Sequence, residues 1–196
     1  RIDSSFLPTL PYGEYISGTA EMLKMSCLDE VLFDDFSKDI EKIKDQNLLV
    51  LDKYIKRVVA LKCDYVDGDV YDNKGRRIFL NFGHTVGHAI ELAALKKIRH
   101  GEAVSLGMLA ISKWAELEGL AKKGTAKTIE EKLKRLGLPT NIKPFDVDPM
   151  TFVDSLQKDK KWTSDGLNVV YPKEIGNLKV CNLANPPAEK WLDLIS

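Results

Sequence analysis

The sequence has few cysteines, no long apolar run and no net charge, and each of these absences excludes a class of protein. Its three cysteines (Cys27, Cys63 and Cys181) are scattered and odd in number, which argues against a disulfide framework and favours a reducing, cytoplasmic location. No apolar run approaches the roughly 20 residues of a membrane span, and no signal peptide is visible. Lys plus Arg and Asp plus Glu both number 29, so charge gives no reason to expect nucleic acid or a membrane as partner.

A glycine-rich turn after a β-strand, the mark of a dinucleotide-binding βαβ unit, is also lacking. Helical periodicity dominates instead, and only 167–171 and 177–181 have the pattern of strands. Helices are expected at 15–36 with a break near Asp29, and at 38–45, 48–65, 76–95, 101–120, 125–136, 150–157 and 188–195. The sequence therefore predicts a mainly α, helical-bundle domain over residues 1–196, with one small β-hairpin near the C-terminus.

All three histidines lie between residues 84 and 100. His84 and His88 are four residues apart and share a face of the helix expected at 76–95. On that helix, a stripe of roughly 80° collects the polar residues Arg77, Asn81, His84, His88 and Glu91. Gly83 and Gly87 form a small-residue edge that another helix or a ligand can approach closely. Imidazoles at this spacing suit a borderline-soft divalent metal such as zinc, so His84, His88 and His100 are candidate ligands, with a carboxylate from elsewhere.

Three segments resemble the motifs of the 3-dehydroquinate synthase family, which belongs to the sugar-phosphate cyclases. They are residues 81–91 (NFGHTVGHAIE) followed by 100–104 (HGEAV), residues 18–24 (GTAEMLK) and residues 159–161 (DKK). The likeness extends over essentially the whole chain. It implies the C-terminal metal- and substrate-binding helical domain of such an enzyme, whose N-terminal NAD-binding domain we expect to be absent from this chain.

The resemblance changes the expected ligand set of the metal. It implies that Glu21, His84 and His100 hold Zn²⁺ or Co²⁺, and that His88 instead lines the substrate site and assists proton transfer. Catalytic roles are implied for His88, Lys24, Asn81 and Arg77. Substrate contacts are implied for Lys24, Lys62, Asp72, Arg77, Asn81, His88 and one of Lys160 and Lys161, between which the resemblance does not decide. Asp72 fits the family pattern only with one inserted residue; otherwise the uncharged Asn73 takes that place.

The reaction implied by the resemblance converts 3-deoxy-D-arabino-heptulosonate 7-phosphate to 3-dehydroquinate and phosphate in the shikimate pathway, with NAD⁺ as a transient oxidant. Such an enzyme is a phosphorus-oxygen lyase, and the full-length protein is expected to be a homodimer. We expect the isolated chain to be inactive, because NAD⁺ would be bound mainly by the other domain.

Three alternatives remain open. Another cyclase acting on sedoheptulose 7-phosphate or glucose 6-phosphate would share the metal motif. A metal-dependent alcohol dehydrogenase of the glycerol dehydrogenase type fits residues 81–91 poorly. A non-catalytic metal-binding helical module is disfavoured, because a purely structural zinc site uses four closed ligands.

Overall fold

The computed structural model describes residues 3–67, 75–158, 162–163 and 165–196. Its α-helices are α1 (Tyr12–Ser26), α2 (Glu30–Lys44), α3 (Leu48–Asp67), α4 (His84–Ala93), α5 (His100–Leu117), α6 (Thr125–Leu136), α7 (Pro149–Gln157) and α8 (Ala188–Asp193). Short 3-10 helices cover Ser4–Thr9, Arg77–Asn81 and Lys143–Phe145. The strands are β1 (Trp162–Thr163), β2 (Gly166–Glu174) and β3 (Asn177–Leu183). The prediction of a mainly α domain with a C-terminal hairpin is confirmed.

The small sheet is antiparallel, in the order β1-β2-β3. Strands β2 and β3 form the predicted hairpin, with Val169 opposite Cys181. The two-residue strand β1, which pairs Trp162 with Leu167, was not predicted. A strand this short carries no readable alternation, so only its pairing with β2 defines it.

Helix α5 forms the centre of the domain. From Gly101 to Ala115 nearly every side chain is buried, and the helix contacts α1, α4, α6, α8 and β2. Near its C-terminal end, Trp114 packs edge-on against Trp191 of α8, with ring centroids 5.8 Å apart. The small and apolar residues of this segment predicted its burial. In the part of the chain that is described, no helix is long and apolar enough to cross a membrane.

The expected helix at 76–95 is wrong at its beginning. The structure has a 3-10 helix over Arg77–Asn81, a turn, and then α4 from His84. Gly83 occupies the turn with φ +78°, a left-handed conformation that ends the first segment. Arg77 and Asn81 therefore do not continue the α4 stripe, whereas His84, His88 and Glu91 do share a face.

The expected helices at 15–36 and 38–45 also need correction. The chain breaks as predicted near Asp29, whose side chain accepts a hydrogen bond from Leu32 N at 2.6 Å and so caps α2. Residues 38–44 then continue α2 without interruption, because Phe36, Ile40 and Ile43 keep its apolar face in the core.

Two very close helix contacts hold α4 and α1 against α5. A Cβ placed on Gly107 of α5 would lie 2.0 Å from the carbonyl oxygen of Gly83. A Cβ on Gly101, at the start of α5, would lie 1.8 Å from the carbonyl oxygen of Ser17 in α1. Both positions therefore require glycine, and the small-residue edge predicted at Gly83 and Gly87 is the surface that meets α5.

Candidate metal centre

Three helices meet at a cluster of imidazole and carboxylate groups. Helix α1 supplies Glu21, the N-terminal half of α4 supplies His84 and His88, and His100 is the first residue of α5. Glu21 Oε1 lies 3.5 Å from His84 Nε2 and 3.8 Å from His100 Nε2. The three histidines place one nitrogen each within 4.8 Å of one another. The residues expected from the sequence to bind metal are thus neighbours in the fold.

One oxygen of Glu21 is buried without a hydrogen-bond partner in the described part of the chain. This atom, Oε1, is the one that faces the two histidine nitrogens. The other oxygen, Oε2, accepts a hydrogen bond from Lys24 Nζ at 2.7 Å. A buried carboxylate oxygen with no partner is costly, so a cation at this position would satisfy it.

The two histidines that face Glu21 are held through their other ring nitrogens. His84 Nδ1 lies 3.2 Å from the carbonyl oxygen of Phe82. His100 Nδ1 lies 3.2 Å from both carboxylate oxygens of Glu91. Because both partners only accept hydrogen bonds, each Nδ1 carries the proton, and each Nε2 keeps its lone pair on the side of Glu21. This is the tautomer that a metal requires of a ligand bound through Nε2.

The charges of the cluster favour the metal-binding protonation states. Burial, aided by the charge of Lys24, lowers the pKa of His84 to about 4, so its imidazole is neutral at pH 7. Burial alone would raise the pKa of Glu21, but the charge and hydrogen bond of Lys24 act against it, and the net shift of that pKa is downward. Glu21 is therefore ionised. Metal ligands must be deprotonated, and both residues already are.

The separations fit a divalent metal with nitrogen and oxygen ligands. Zinc bonds to nitrogen and oxygen are about 2.0–2.2 Å, which places two tetrahedral ligand atoms about 3.3–3.6 Å apart. The 3.5 and 3.8 Å separations at Glu21 Oε1 need only small adjustments. The three histidines are also close enough to form a ligand set by themselves, because one ring nitrogen of each lies within 4.8 Å of the others. We favour the set containing Glu21, because its buried oxygen has no hydrogen-bond partner among the residues that the structure describes and so most needs a cation.

The other expected site residues differ in how closely they approach the cluster. Lys24 is only 4% exposed, and burial lowers its pKa, as does the nearby charge of Lys62 on α3. Lys62 is exposed, so one lysine of the pair is buried beside Glu21 and the other lies at the protein surface. Arg77 and Asn81 are half-buried on the 3-10 helix before α4. Asp72, Asn73, Lys160 and Lys161 lie outside the described residues.

Sequence reasoning missed a set of polar contacts that fixes the start of α5. The backbone N–H of Arg99 donates to Glu102 Oε2 at 2.7 Å, so the glutamate side chain satisfies a free N–H group at the start of α5. Arg99 Nε also donates to Glu14 Oε1 of α1 at 2.9 Å. The glutamate three residues after the cap is a recognisable signal, but the long-range partner Glu14 has none. These contacts hold His100 in place relative to α1.

The chain is similar to known proteins over most of its length. A family described as 3-dehydroquinate synthase C-terminal matches residues 18–162. The 3-dehydroquinate synthase of Streptococcus mutans serotype c is 35% identical over 98% of this chain and 54% of its own length. That of Saccharolobus solfataricus is 38% identical over 90% of this chain and 51% of its own. The chain thus spans about half the length of the curated relatives that it matches.

Solved structures share the fold. One is a 2-epi-5-epi-valiolone synthase from Streptomyces hygroscopicus subsp. jinggangensis with NAD⁺ and Zn²⁺ bound. It matches with a TM-score of 0.81 at 22% identity, and the match covers 98% of this chain and 53% of the synthase chain. A 2-deoxy-scyllo-inosose synthase complexed with carbaglucose-6-phosphate, NAD⁺ and Co²⁺ has a TM-score of 0.79 at 25% identity, over 97% of this chain and 53% of its own.

Proposed function

The chain belongs to the 3-dehydroquinate synthase C-terminal family, and on that premise we propose that it is the metal- and substrate-binding part of a 3-dehydroquinate synthase. The reaction is the conversion of 3-deoxy-D-arabino-heptulosonate 7-phosphate to 3-dehydroquinate and phosphate. The observation that carries the proposal is that Glu21 Oε1, which has no hydrogen-bond partner among the described residues, faces His84 Nε2 and His100 Nε2 in a chain that matches this family.

Glu21, His84 and His100 would hold the divalent metal, Zn²⁺ or Co²⁺. Three protein ligands leave coordination positions open, as a catalytic rather than a structural site requires. When bound, the metal would supply Lewis-acid polarisation of a substrate hydroxyl, and NAD⁺ would supply the redox chemistry. Lys24 holds Glu21 in place through Oε2, which leaves Oε1 directed at the two imidazoles.

Cationic and polar side chains around the centre would bind the substrate. Lys24 has three N–H donors, of which Glu21 uses one, so the others can meet a substrate carboxylate or phosphate. Lys62, Arg77 and Asn81 are proposed to contact the same substrate, with Arg77 suited to bidentate binding of an anionic group. Asp72, Lys160 and Lys161 complete this set by resemblance to the family.

His88 would move a proton rather than bind the metal. It lies one turn after His84 on the same face of α4 and is exposed, with its ring centroid 5.3 Å from that of His84. A side chain at this edge of the site can reach a substrate bound at the metal. General acid–base assistance of this kind contributes about 10²- to 10⁴-fold to a rate.

Residues 1–196 are proposed to form one domain of a two-domain enzyme. The sequence contains no glycine-rich turn after a strand, so NAD⁺ would be bound mainly by residues outside this chain. We further propose that the full-length enzyme is a cytoplasmic homodimer. Its partner is a small-molecule sugar phosphate, and it binds neither nucleic acid nor membrane. The isolated chain is then expected to fold without turning over substrate.

A different sugar-phosphate cyclase activity has one observation in its favour. The two solved structures with the TM-scores given above are a valiolone synthase and an inosose synthase, not 3-dehydroquinate synthases. Against it stands sequence identity of 35–38% to the curated 3-dehydroquinate synthases of two different organisms. Sequence identity tracks the substrate pocket more closely than fold does, since one fold hosts several functions.

A chimera tests the proposal. This chain replaces the half of the Streptococcus mutans relative that it matches, and phosphate release is measured with NAD⁺ and Zn²⁺. We expect release from 3-deoxy-D-arabino-heptulosonate 7-phosphate by the chimera, none by the chain alone, and a loss of about 10²- to 10⁴-fold with His88→Ala. Release only from sedoheptulose 7-phosphate or glucose 6-phosphate would establish the alternative, and turnover by the chain alone would contradict the two-domain proposal.

A further inference from the structure

We propose that Glu91 is a positioning residue that fixes the tautomer and the orientation of His100. Glu91 is not among the residues to which the family resemblance gives a role. The inference rests on the proposed metal site, because it concerns how one ligand of that site is held ready to bind. It adds a residue that is expected to set metal affinity without touching the metal.

The geometry places Glu91 behind the ring of His100. Glu91 follows His84 by two helical turns and therefore lies on the same face of α4. Both of its carboxylate oxygens are 3.2 Å from His100 Nδ1, while His100 Nε2 is the atom that faces Glu21 Oε1 at 3.8 Å. The two ring nitrogens point in different directions, so Glu91 can hold the Nδ1 proton without entering the metal's coordination sphere.

His100 needs such a partner more than His84 does. The side chain of His84 is 14% exposed, and its Nδ1 contacts the carbonyl oxygen of Phe82 on the adjoining turn. The side chain of His100 is 47% exposed at the first residue of a helix, so fewer packed neighbours restrict its ring than restrict that of His84. Without an acceptor at Nδ1, the ring would also populate the tautomer that carries its proton on Nε2, which cannot bind a metal there.

The carboxylate of Glu91 also has the right chemistry for this task. It accepts hydrogen bonds and, when ionised, cannot donate one, so it excludes the Nε2–H tautomer. An acceptor with negative charge further increases the basicity of the coordinating nitrogen. Outer partners of this kind typically change metal affinity by about 10- to 100-fold when they are removed.

The first test uses the metal-free chain and needs no activity. Nitrogen chemical shifts of the His100 ring are measured by NMR at about pH 9, where an ordinary imidazole is neutral. We expect one Nδ1–H tautomer in the wild type, a mixture in Glu91→Ala, and recovery of the Nδ1–H form in Glu91→Gln, whose amide oxygen still accepts. Equal tautomer populations in the wild type and Glu91→Ala would overturn the inference.

The second test measures zinc affinity by calorimetry, with Glu130→Ala as the matched control. Glu130 is a helical glutamate that is 24% exposed, against 29% for Glu91, and it pairs with Lys134 away from the metal centre. We expect affinity about 10- to 100-fold weaker in Glu91→Ala, a smaller loss in Glu91→Gln, and no change in Glu130→Ala.

The outcomes separate this inference from the metal site itself. Zinc binding by the wild type with unchanged affinity in folded Glu91→Ala contradicts the role of Glu91 and leaves the site standing. An equal loss in Glu130→Ala means a general loss of structure and also overturns it. If Glu91→Ala fails to fold, Glu91→Gln decides, and its tautomer must match the wild type while its affinity falls. No zinc binding by the wild type refutes the metal site, and the tautomer populations of the metal-free chain then decide the role of Glu91 by themselves.

Discussion

Replacing the histidines one at a time separates the metal ligands from their neighbours. The variants are His84→Ala, His88→Ala and His100→Ala, together with Glu21→Gln, which keeps the shape of the side chain but removes its charge. His88 lies close to His84 and His100, which also face Glu21, so a ligand set cannot be read from proximity alone. If Glu21, His84 and His100 bind zinc, loss of His88 leaves the affinity nearly unchanged.

The size of the effect follows from the ligand count and the geometry. Zinc sites with four protein ligands bind with about 10–16 kcal/mol, so one ligand contributes about 3–4 kcal/mol, or about a hundred- to a thousand-fold in affinity. The facing atoms are already 3.5 and 3.8 Å apart, so the ligands need little rearrangement to bind zinc. The cost of that rearrangement therefore subtracts little from the contribution of each ligand. We expect this loss for His84→Ala, His100→Ala and Glu21→Gln, and a change of less than about threefold for His88→Ala.

Calorimetric zinc titration at pH 7 measures these affinities, and thermal unfolding provides a second readout. Zinc at about 100 times its dissociation constant should stabilise the fold by about 2.7 kcal/mol, and this gain should vanish in the variants that lose binding. The reasoning is refuted if His88→Ala weakens zinc as much as His84→Ala while Glu21→Gln does not. That result would establish a three-histidine site and leave the buried oxygen of Glu21 unexplained.

Two further predictions concern stability. Gly107→Ala should lower the free energy of unfolding by about 1–3 kcal/mol and weaken zinc binding, because its Cβ would lie 2.0 Å from the carbonyl oxygen of Gly83, just before α4. Gly18→Ala is the control, because a Cβ there meets nothing within 4 Å. Thermal unfolding measures the stability of both variants. Hydrogen bonds from Lys42 and Tyr54 lower the pKa of Asp39 from 3.8 to about 2, so its contribution to stability is present above about pH 4 and is lost as the pH falls towards 2. Asp39→Asn should flatten that part of the stability curve in acid denaturation and destabilise the fold by about 1 kcal/mol at pH 7; an unchanged acid limb would contradict this.

Periodicity predicted the helices whose boundaries depend on local sequence. Helix α6 begins at Thr125 and ends at Leu136 as expected, because a glycine in the left-handed conformation lies at each end. The break before α4 was missed, because its cause is not local. Gly83 adopts φ +78° at a place where α5 approaches so closely that a Cβ would lie 2.8 Å from the carbonyl oxygen of Val104. A helical pattern carries no sign of such a neighbour.

The metal centre shows the same division between local and distant information. The spacing of His84 and His88 predicted a helix face that carries candidate metal ligands, and the family resemblance added Glu21 to the expected set. Neither could show that one buried oxygen of Glu21 lacks a partner in the described part of the chain, or that Glu91 faces His100, because both facts depend on how α1, α4 and α5 pack. Spacing alone favours the three-histidine set, since ligands from a distant helix leave no periodic signal.

Each histidine of the centre is a chain neighbour of a glycine that meets another helix. Gly83 and Gly87 precede the histidines of α4 and contact α5, and Gly101 follows His100 and contacts α1. Side chains of these lengths span the gap between helices only when the backbones are very close, and only glycine permits that approach. The glycines are therefore as much a part of the proposed metal centre as the proposed ligands. A substitution at one of them should displace the adjacent imidazole by moving a whole helix, which explains why the ligands and the packing residues occur together in one short motif.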